Sequence, residues 1–224
     1  MHSLVPTKRG THLALTMALL DTLIANPVQR LGISATMEPL DEVAQFLVPV
    51  KAGDRQTDSG APIPKFDDEE SSRVHIAKVS GARELDLDII LAHPKFSEVP
   101  VKQLLDHNVD LIKDLVEAHT TTLVFANTRQ MTEVITQKLR ILGLAGVEGH
   151  HGSMDKQIRL EVERKLKRGE LRCCVSSSSL ELGIDIGSVD MVIQLGSPGS
   201  IATALQRIGR ASHHVGGIPR ARFL

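Results

Sequence analysis

The second two thirds of the chain alternates between short apolar runs and longer amphipathic stretches. Short apolar runs predict buried strands, and apolar residues spaced three and four apart predict helices. The predicted strands are 85–91, 121–125, 146–150, 171–176 and 189–195, and the predicted helices are 101–118, 130–142, 155–168 and 201–211. Alternation of strands and helices at this spacing predicts an α/β fold with a parallel sheet covered on both faces.

The first third of the chain is less regular. Apolar spacing predicts a helix over 11–25, which Asn26-Pro27 ends, and a shorter helix over 39–47. Residues 28–33 and 73–79 are short strand candidates.

Residues 51–72 differ from the rest in composition, being polar and rich in Gly and Pro with a run of acids at the end. Such a segment buries too little apolar surface to offset the entropy of ordering. We interpret it as a flexible linker, with an acidic interaction patch as the less favoured alternative. The predicted domains are therefore 1–50 and 73–224, joined by the linker 51–72.

Composition restricts the functional class. The chain has 224 residues, a formal net charge of −1 and 42% hydrophobic residues, which is ordinary for a globular protein of one or two domains. It contains five Phe but neither Trp nor Tyr. This argues against an aromatic cage, an antibody-like paratope or a base-stacking RNA-recognition sheet.

The two cysteines, Cys173 and Cys174, are adjacent in a predicted strand, where neighbours point to opposite faces, which argues against a structural disulfide between them. The absence of Cys-x-x-Cys excludes a zinc ribbon or a thioredoxin-type site. Since the sequence shows no apolar stretch of 18 residues and no signal peptide, we expect a cytoplasmic protein without a membrane partner.

Polar clusters follow the predicted strands, and basic residues gather late in the chain. No acid follows Asp190, whereas Arg207, Arg210, Arg220 and Arg222 do. Hydroxyls, amides and exposed N–H groups at helix starts suit phosphate oxygens, and two arginines three apart on one helix face suit a polyphosphate. The clusters are 125–129, 150–153, 176–185, 196–200 and 206–210.

Four segments of the chain resemble helicase motifs in their known order. Ser34-Ala35-Thr36 resembles motif III, 123–129 (LVFANTR) motif IV, 176–186 (SSSSLELGIDI) motif V and 206–213 (QRIGRASH) motif VI. Together they resemble the large helicase-related (Lhr) family of superfamily 2, over nearly the whole chain except 51–72. The resemblance implies a RecA-like helicase C-terminal domain preceded by the last part of a first RecA-like domain.

The sequence departs from the family at the front of the helicase core. It contains no Gly-x-x-x-x-Gly-Lys-Ser/Thr, the loop that cradles the ATP phosphates, and only Met1 and His2 match the tail of motif II. The resemblance therefore implies ATP and Mg²⁺ in an intact enzyme, with neither held by this chain alone. We expect this chain by itself neither to hydrolyse ATP nor to unwind a duplex, so its status as an enzyme is left open.

The resemblance also implies roles for residues that would meet ATP. Arg210 matches the arginine finger on the γ-phosphate, with Arg207 as its neighbour, although both could be ordinary arginines of a surface helix. Gln206 would bridge the nucleotide and His2. Gly183 and Asp185 of motif V would bind ATP. Asp185 would contact the ribose, although it could instead be a helix or turn cap.

Ser34, Ala35 and Thr36 of motif III would couple nucleotide state to nucleic-acid binding, or simply cap a strand end.

A second set of residues would bind nucleic acid directly. The contacts of the second set would go to sugar and phosphate, and binding would weaken with salt. This set comprises Asn127, Thr128, Arg129, Gly152, Ser177 and Ser178.

Two functional hypotheses remain. In the first, the chain is a segment of an ATP-dependent helicase that moves 3′ to 5′ along single-stranded DNA or RNA, with the missing N-terminal RecA-like half supplied in cis or in trans. In the second, it is a stand-alone module that binds single strands. The pairs His150-His151 and His213-His214 lack a third ligand at metal-site spacing, so no metal is predicted.

Overall fold

The computed structural model divides the chain into two compact units, 1–81 and 82–224. Several predicted features lie outside the described residues, so their calls stay predictions: the linker 51–72, His2, Ala35, Thr36, Gly183, Asp185 and the pair His213-His214. The domain bounds 1–50 and 73–224 likewise stay a prediction. The described residues are 4–5, 7–26, 28–34, 40–48, 74–77, 84–95, 97–181, 186–211 and 217–224.

The first unit contains two helices, α1 (Lys8–Leu23) and α2 (Leu40–Gln45), close to the predicted ranges. Thr7 caps α1, because its hydroxyl oxygen accepts a hydrogen bond of 3.2 Å from the Gly10 amide. The predicted strand at 28–33 is wrong, since residues 28–34 form no strand. The described residues of this unit contain no strand with which 28–34 could pair. The Arg30 side chain donates hydrogen bonds to the carbonyl oxygens of Met17 and Leu47, at 3.1 and 3.2 Å.

The second unit is built on a parallel six-stranded sheet, as the alternation predicted. Its strands are β1 (Asp86–Ile89), β2 (Thr122–Phe125), β3 (Val147–His150), β4 (Cys173–Ser176), β5 (Met191–Gln194) and β6 (Arg220–Phe223), in the order β1-β6-β5-β2-β4-β3. The helices are α3 (Val101–Glu117), α4 (Arg129–Ile141), α5 (Lys156–Lys167) and α6 (Ile201–Ile208). This is the α/β architecture of a RecA-like domain.

The strand β6 was not predicted, because the sequence Arg-Ala-Arg-Phe has no apolar run. It pairs in parallel with β1 and β5. Asp86 of β1 lies 2.8 Å from Arg222 and 3.4 Å from Arg220, and the hydrogen bond from Arg222 holds the pKa of this carboxyl below its usual value. Asp86 thus partly neutralises the charges of Arg220 and Arg222. The other strand candidate, 73–79, shows no strand at its described residues 74–77.

Apolar side chains fill both faces of the sheet. Leu123 and Phe125 of β2 pack beneath α5 and α6, whereas Val124 packs beneath α3 and α4. Cys173 and Cys174 separate in the same way, as predicted, and both are free buried thiols. Burial raises the pKa of the Cys173 thiol to about 12. No helix in the described part of the chain is long and apolar enough to cross a membrane.

Candidate functional site

The loops that follow β2, β3, β4 and β5 share one edge of the sheet. All four strands are parallel and neighbours in the order β5-β2-β4-β3, so their carboxyl ends lie side by side. Ligand sites of open α/β sheets form at this edge. Four of the five polar clusters predicted from the sequence begin here, and the fifth, 206–210, lies at the end of α6.

The loop after β2 and the first residue of α4 carry three of the predicted residues, Asn127, Thr128 and Arg129, all exposed. Thr128 caps α4, accepting a hydrogen bond of 3.1 Å from the Met131 amide. Arg129 donates to the Ser153 hydroxyl at 3.0 Å, and Asn127 donates to the carbonyl oxygen of Ser197 at 2.9 Å. This loop is therefore tied to the loops after β3 and β5.

Three further predicted residues lie on the neighbouring loops. Gly152 is exposed after β3, and a Cβ added to it would meet nothing within 4 Å. Ser177 follows β4, and its amide donates to the carbonyl oxygen of His150 at 3.2 Å. Ser178 is exposed and begins a 3₁₀ turn, Ser178–Leu180. The structure thus brings the six predicted nucleic-acid residues to one edge.

The histidine pair at the end of β3 is buried and engaged within the protein. His150 lies 2.7 Å from the Ser179 hydroxyl and 3.1 Å from the Glu163 carboxylate. Burial lowers the pKa of His150, although Glu163 opposes the shift. His151 instead meets Glu133 at 2.6 Å. Within the residues that the structure describes, no group of three or more His, Cys, Asp or Glu could hold a metal ion.

Arg207 of α6 points into the protein. Its guanidinium donates to Glu181 at 2.9 and 3.1 Å and to the Gln194 side-chain oxygen at 2.7 Å, and it lies 5.0 Å from the centre of the Phe125 ring. Its side chain is 7% exposed. The geometry indicates an internal ion pair that fixes α6, while the catalytic role of Arg207 stays a prediction.

Arg210 and Gln206 have more open surroundings at the end of α6, where both are partly exposed. Burial lowers the pKa of the Arg210 guanidinium and the charge of Glu181 opposes the shift, so Arg210 stays a cation at neutral pH. A guanidinium and a side-chain amide can both donate hydrogen bonds to phosphate oxygens. Ser34, in the other unit, is partly exposed.

Sequence reasoning missed two residues, Glu181 and Gln194, although both lie in or beside the quoted clusters. Gln194 is buried at the end of β5, and Glu181 follows the 3₁₀ turn. A glutamine inside the apolar run Met-Val-Ile-Gln was the available signal, since a buried amide needs a partner. The identity of that partner, Arg207, could not be obtained from spacing.

Comparison with known proteins identifies relatives. The helicase conserved C-terminal domain matches residues 104–214. The chain is 44% identical over 215 residues to the ATP-dependent helicase Lhr-Core of Methanocaldococcus jannaschii, covering 96% of this chain and 23% of that protein. The structure of Mycobacterium smegmatis helicase Lhr bound to ssDNA and AMP-PNP superposes with a TM-score of 0.79 at 38% identity, over 99% of this chain and 27% of that one.

A more distant structure shares the fold. Saccharomyces cerevisiae Dbp5 bound to RNA and ADP BeF3 (the L327V protein) matches with a TM-score of 0.50 at 22% identity, over 63% of this chain. The chain spans about a quarter of the length of the archaeal relatives that it matches.

Proposed function

The chain belongs to the Lhr family of ATP-dependent helicases, and on that premise we propose that it binds single-stranded nucleic acid along the carboxyl edge of β2, β3 and β4. One observation carries the proposal: exposed donors from three neighbouring loops lie together there, joined by the Arg129–Ser153 hydrogen bond of 3.0 Å. Arginine, hydroxyls and backbone amides are the groups that hold phosphate and sugar without reading bases.

We further propose that ATP meets this domain at the end of α6. Arg210 would face the γ-phosphate, where a cation stabilises the charge of the transferring group, and Gln206 would bridge the nucleotide and His2. Gly183 and Asp185 are proposed to hold the nucleoside side. When bound, ATP with Mg²⁺ supplies the hydrolysis step.

Among the described residues, no group of three or more His, Cys, Asp or Glu could hold a metal ion. The sequence contains no Gly-x-x-x-x-Gly-Lys-Ser/Thr loop that would cradle the ATP phosphates. We therefore propose that hydrolysis requires a second RecA-like half, in cis or in trans, which holds Mg²⁺ and the β- and γ-phosphates. Residues 1–50 are proposed to be the last part of that other half, which is the first RecA-like domain along the full-length chain. Closing and opening of the two halves would move the protein 3′ to 5′ along the strand. Turnover of ATP by the purified 224-residue chain that depends on Arg210 would contradict this proposal.

A titration of the 224-residue chain with fluorescent single-stranded DNA tests nucleic-acid binding. We expect binding at low salt that weakens as salt rises, with a log–log slope of about 0.7 per phosphate contacted. Arg129→Gln should weaken binding and reduce the slope by about one contact. Absence of binding at low salt would overturn the proposal.

Arg168→Gln is the matched control for Arg129→Gln. Arg168 follows α5 at the opposite edge of the sheet, where the strands begin, and its side chain is 67% exposed. It removes the same charge from a surface that the proposal leaves free of nucleic acid. Equal losses in the two variants would indicate nonspecific attraction to a basic surface.

The second candidate function is a module that binds single strands without ATP, favoured by the missing phosphate loop in the sequence. Mixing the chain with a separately purified RecA-like half that carries such a loop distinguishes the two. Restored ATP hydrolysis that requires Arg210 supports the split helicase. Unchanged hydrolysis, together with salt-dependent binding, supports the stand-alone module.

A further inference from the structure

A buried hydrogen-bond network connects the end of α6 to the loop after β2. Its centre is Gln194, the last residue of β5, which is 1% exposed. The Gln194 side-chain oxygen accepts from Arg207 at 2.7 Å. Its amide nitrogen donates to the carbonyl oxygens of Gly196 at 2.9 Å and Leu195 at 3.1 Å, and approaches the Asn127 side-chain oxygen at 3.5 Å.

The charge of Arg207 fixes which way the Gln194 amide faces. A guanidinium only donates, so the oxygen of Gln194 must face it and the nitrogen must face the loop after β5. Reversing the amide would set its nitrogen against the cation and its oxygen against the carbonyl oxygens of Leu195 and Gly196. Arg207 is itself held by Glu181 at 2.9 Å, so the orientation is determined by two further residues.

Asn127 is held from the same network. Its side-chain oxygen lies 3.5 Å from both Arg207 and Gln194, and its nitrogen donates to the carbonyl oxygen of Ser197 at 2.9 Å. Gly196, with φ of 72°, packs against this amide so closely that an added Cβ would lie 3.3 Å from the Asn127 nitrogen. The exposed Asn127 therefore contacts two side chains, Arg207 and Gln194, that are buried.

We propose that Gln194 is a positioning residue for nucleic-acid binding: it holds Asn127 and the 195–197 backbone in place and, through Arg207, links them to α6, the helix that precedes Arg210. The inference rests on the proposed function. Gln194 cannot touch a ligand because it is buried, and its effect on binding passes through Asn127.

Two substitutions of Gln194 separate its donor and acceptor roles. Gln194→Glu keeps an oxygen for Arg207 at nearly the same volume but removes both N–H donors and sets a carboxylate against the carbonyl oxygens of the loop. Gln194→Met removes every hydrogen bond of the amide. We expect each to weaken single-stranded DNA binding about fivefold to tenfold at fixed low salt.

The double-mutant cycle with Asn127→Ala tests the route of the effect. If Gln194 acts through Asn127, the Gln194 substitutions should change the Kd less than twofold in the Asn127→Ala background. Thr136→Val is the control, because Thr136 is buried and its hydroxyl donates to the carbonyl oxygen of Thr132, at 2.7 Å. It should lower stability without changing the Kd.

The NMR signals of the Asn127 side-chain amide provide a readout that does not need nucleic acid. They should shift in Gln194→Glu and stay unchanged in Thr136→Val. Unchanged Asn127 signals, an unchanged Kd in folded Gln194 variants, or an equal loss in the Asn127→Ala background would each overturn the inference. If the wild-type chain does not bind DNA, the proposed function fails, and shifted Asn127 signals would still support the positioning role.

Discussion

The Arg207 guanidinium lies 2.9 Å from the Glu181 carboxylate, with both side chains largely removed from water. The ion pair joins α6, which contains Gln206, to Glu181, the residue that follows the 3₁₀ turn after β4. Its two hydrogen bonds to one carboxylate oxygen, at 2.9 and 3.1 Å, fix the orientation of the helix about its axis. Arg207 therefore differs from Arg210, three residues later, in what it contributes.

Removing the carboxylate should destabilise the domain. In Glu181→Gln the buried Arg207 loses its counter-ion, and we expect the free energy of unfolding to fall by about 3 kcal/mol. Urea denaturation followed by circular dichroism measures the loss. Glu161→Gln is the control, because its partner Arg164 is 64% exposed and surface pairs contribute about 0.5 kcal/mol. Equal stability of the two variants would contradict the structural role of the pair.

Gly187→Ala should also lower the free energy of unfolding. Gly187 has a φ of 78°, and an added Cβ would lie 2.8 Å from the carbonyl oxygen of Lys167. Gly169, with a φ of 69°, has nothing within 4 Å of that position. Gly169→Ala should therefore cost about 1 kcal/mol for its backbone alone. Gly187→Ala should cost about 1 to 3 kcal/mol more because the backbone must move. Similar denaturation midpoints would refute the clash.

Gly152→Ala should affect binding and leave stability unchanged. The added methyl group meets nothing within 4 Å in the protein, so the denaturation midpoint should stay where it is. A phosphate backbone lying against Gly152 would meet that methyl group, and we expect single-stranded DNA to bind about threefold to tenfold more weakly. Fluorescence anisotropy measures the Kd, and an unchanged Kd would place the nucleic acid elsewhere.

Arg210 can be tested in a protein that joins this chain to a RecA-like half carrying a phosphate loop. Arg210→Lys keeps the charge but loses the planar fork, and we expect kcat for ATP to fall about 10³-fold with a much smaller change in KM. Steady-state hydrolysis with saturating single-stranded DNA provides the measurement. Arg168→Lys should behave as wild type, and hydrolysis that survives Arg210→Lys would exclude the γ-phosphate role.

His150 should make the fold sensitive to acid. Burial lowers the pKa of His150 in the folded chain, so below about pH 6.5 the unfolded chain binds a proton that the folded chain does not. Its contribution to the free energy of unfolding is thus complete above pH 6.5 and is lost as the pH falls through the folded-state pKa. We expect the free energy of unfolding, measured by denaturation between pH 7.5 and 5, to change less with pH in His150→Gln than in the wild-type chain. Parallel profiles for the two proteins would show that His150 does not titrate differently on unfolding.

Most of the sheet was predictable, because strand and helix periods are local properties. Five of the six described strands and three of the four described helices of the second unit lie within the predicted ranges, and α4 begins one residue before its range. The exceptions depend on distant partners: β6 forms beside Asp86, from which Arg222 is separated by 136 residues, whereas 28–33 finds no strand partner in the described structure.

The sequence by itself determined the α/β class, the order of the motifs and the edge at which polar residues gather. These follow from residue spacing and from the rule that parallel strands end at one edge. Only the tertiary structure decided that Arg207 turns inward to Glu181 while Arg210 stays partly exposed, and that Gln194 connects Arg207 to Asn127. Arg207 and Asn127 are 80 residues apart in the chain, and no local pattern encodes which buried donor meets which acceptor across that distance.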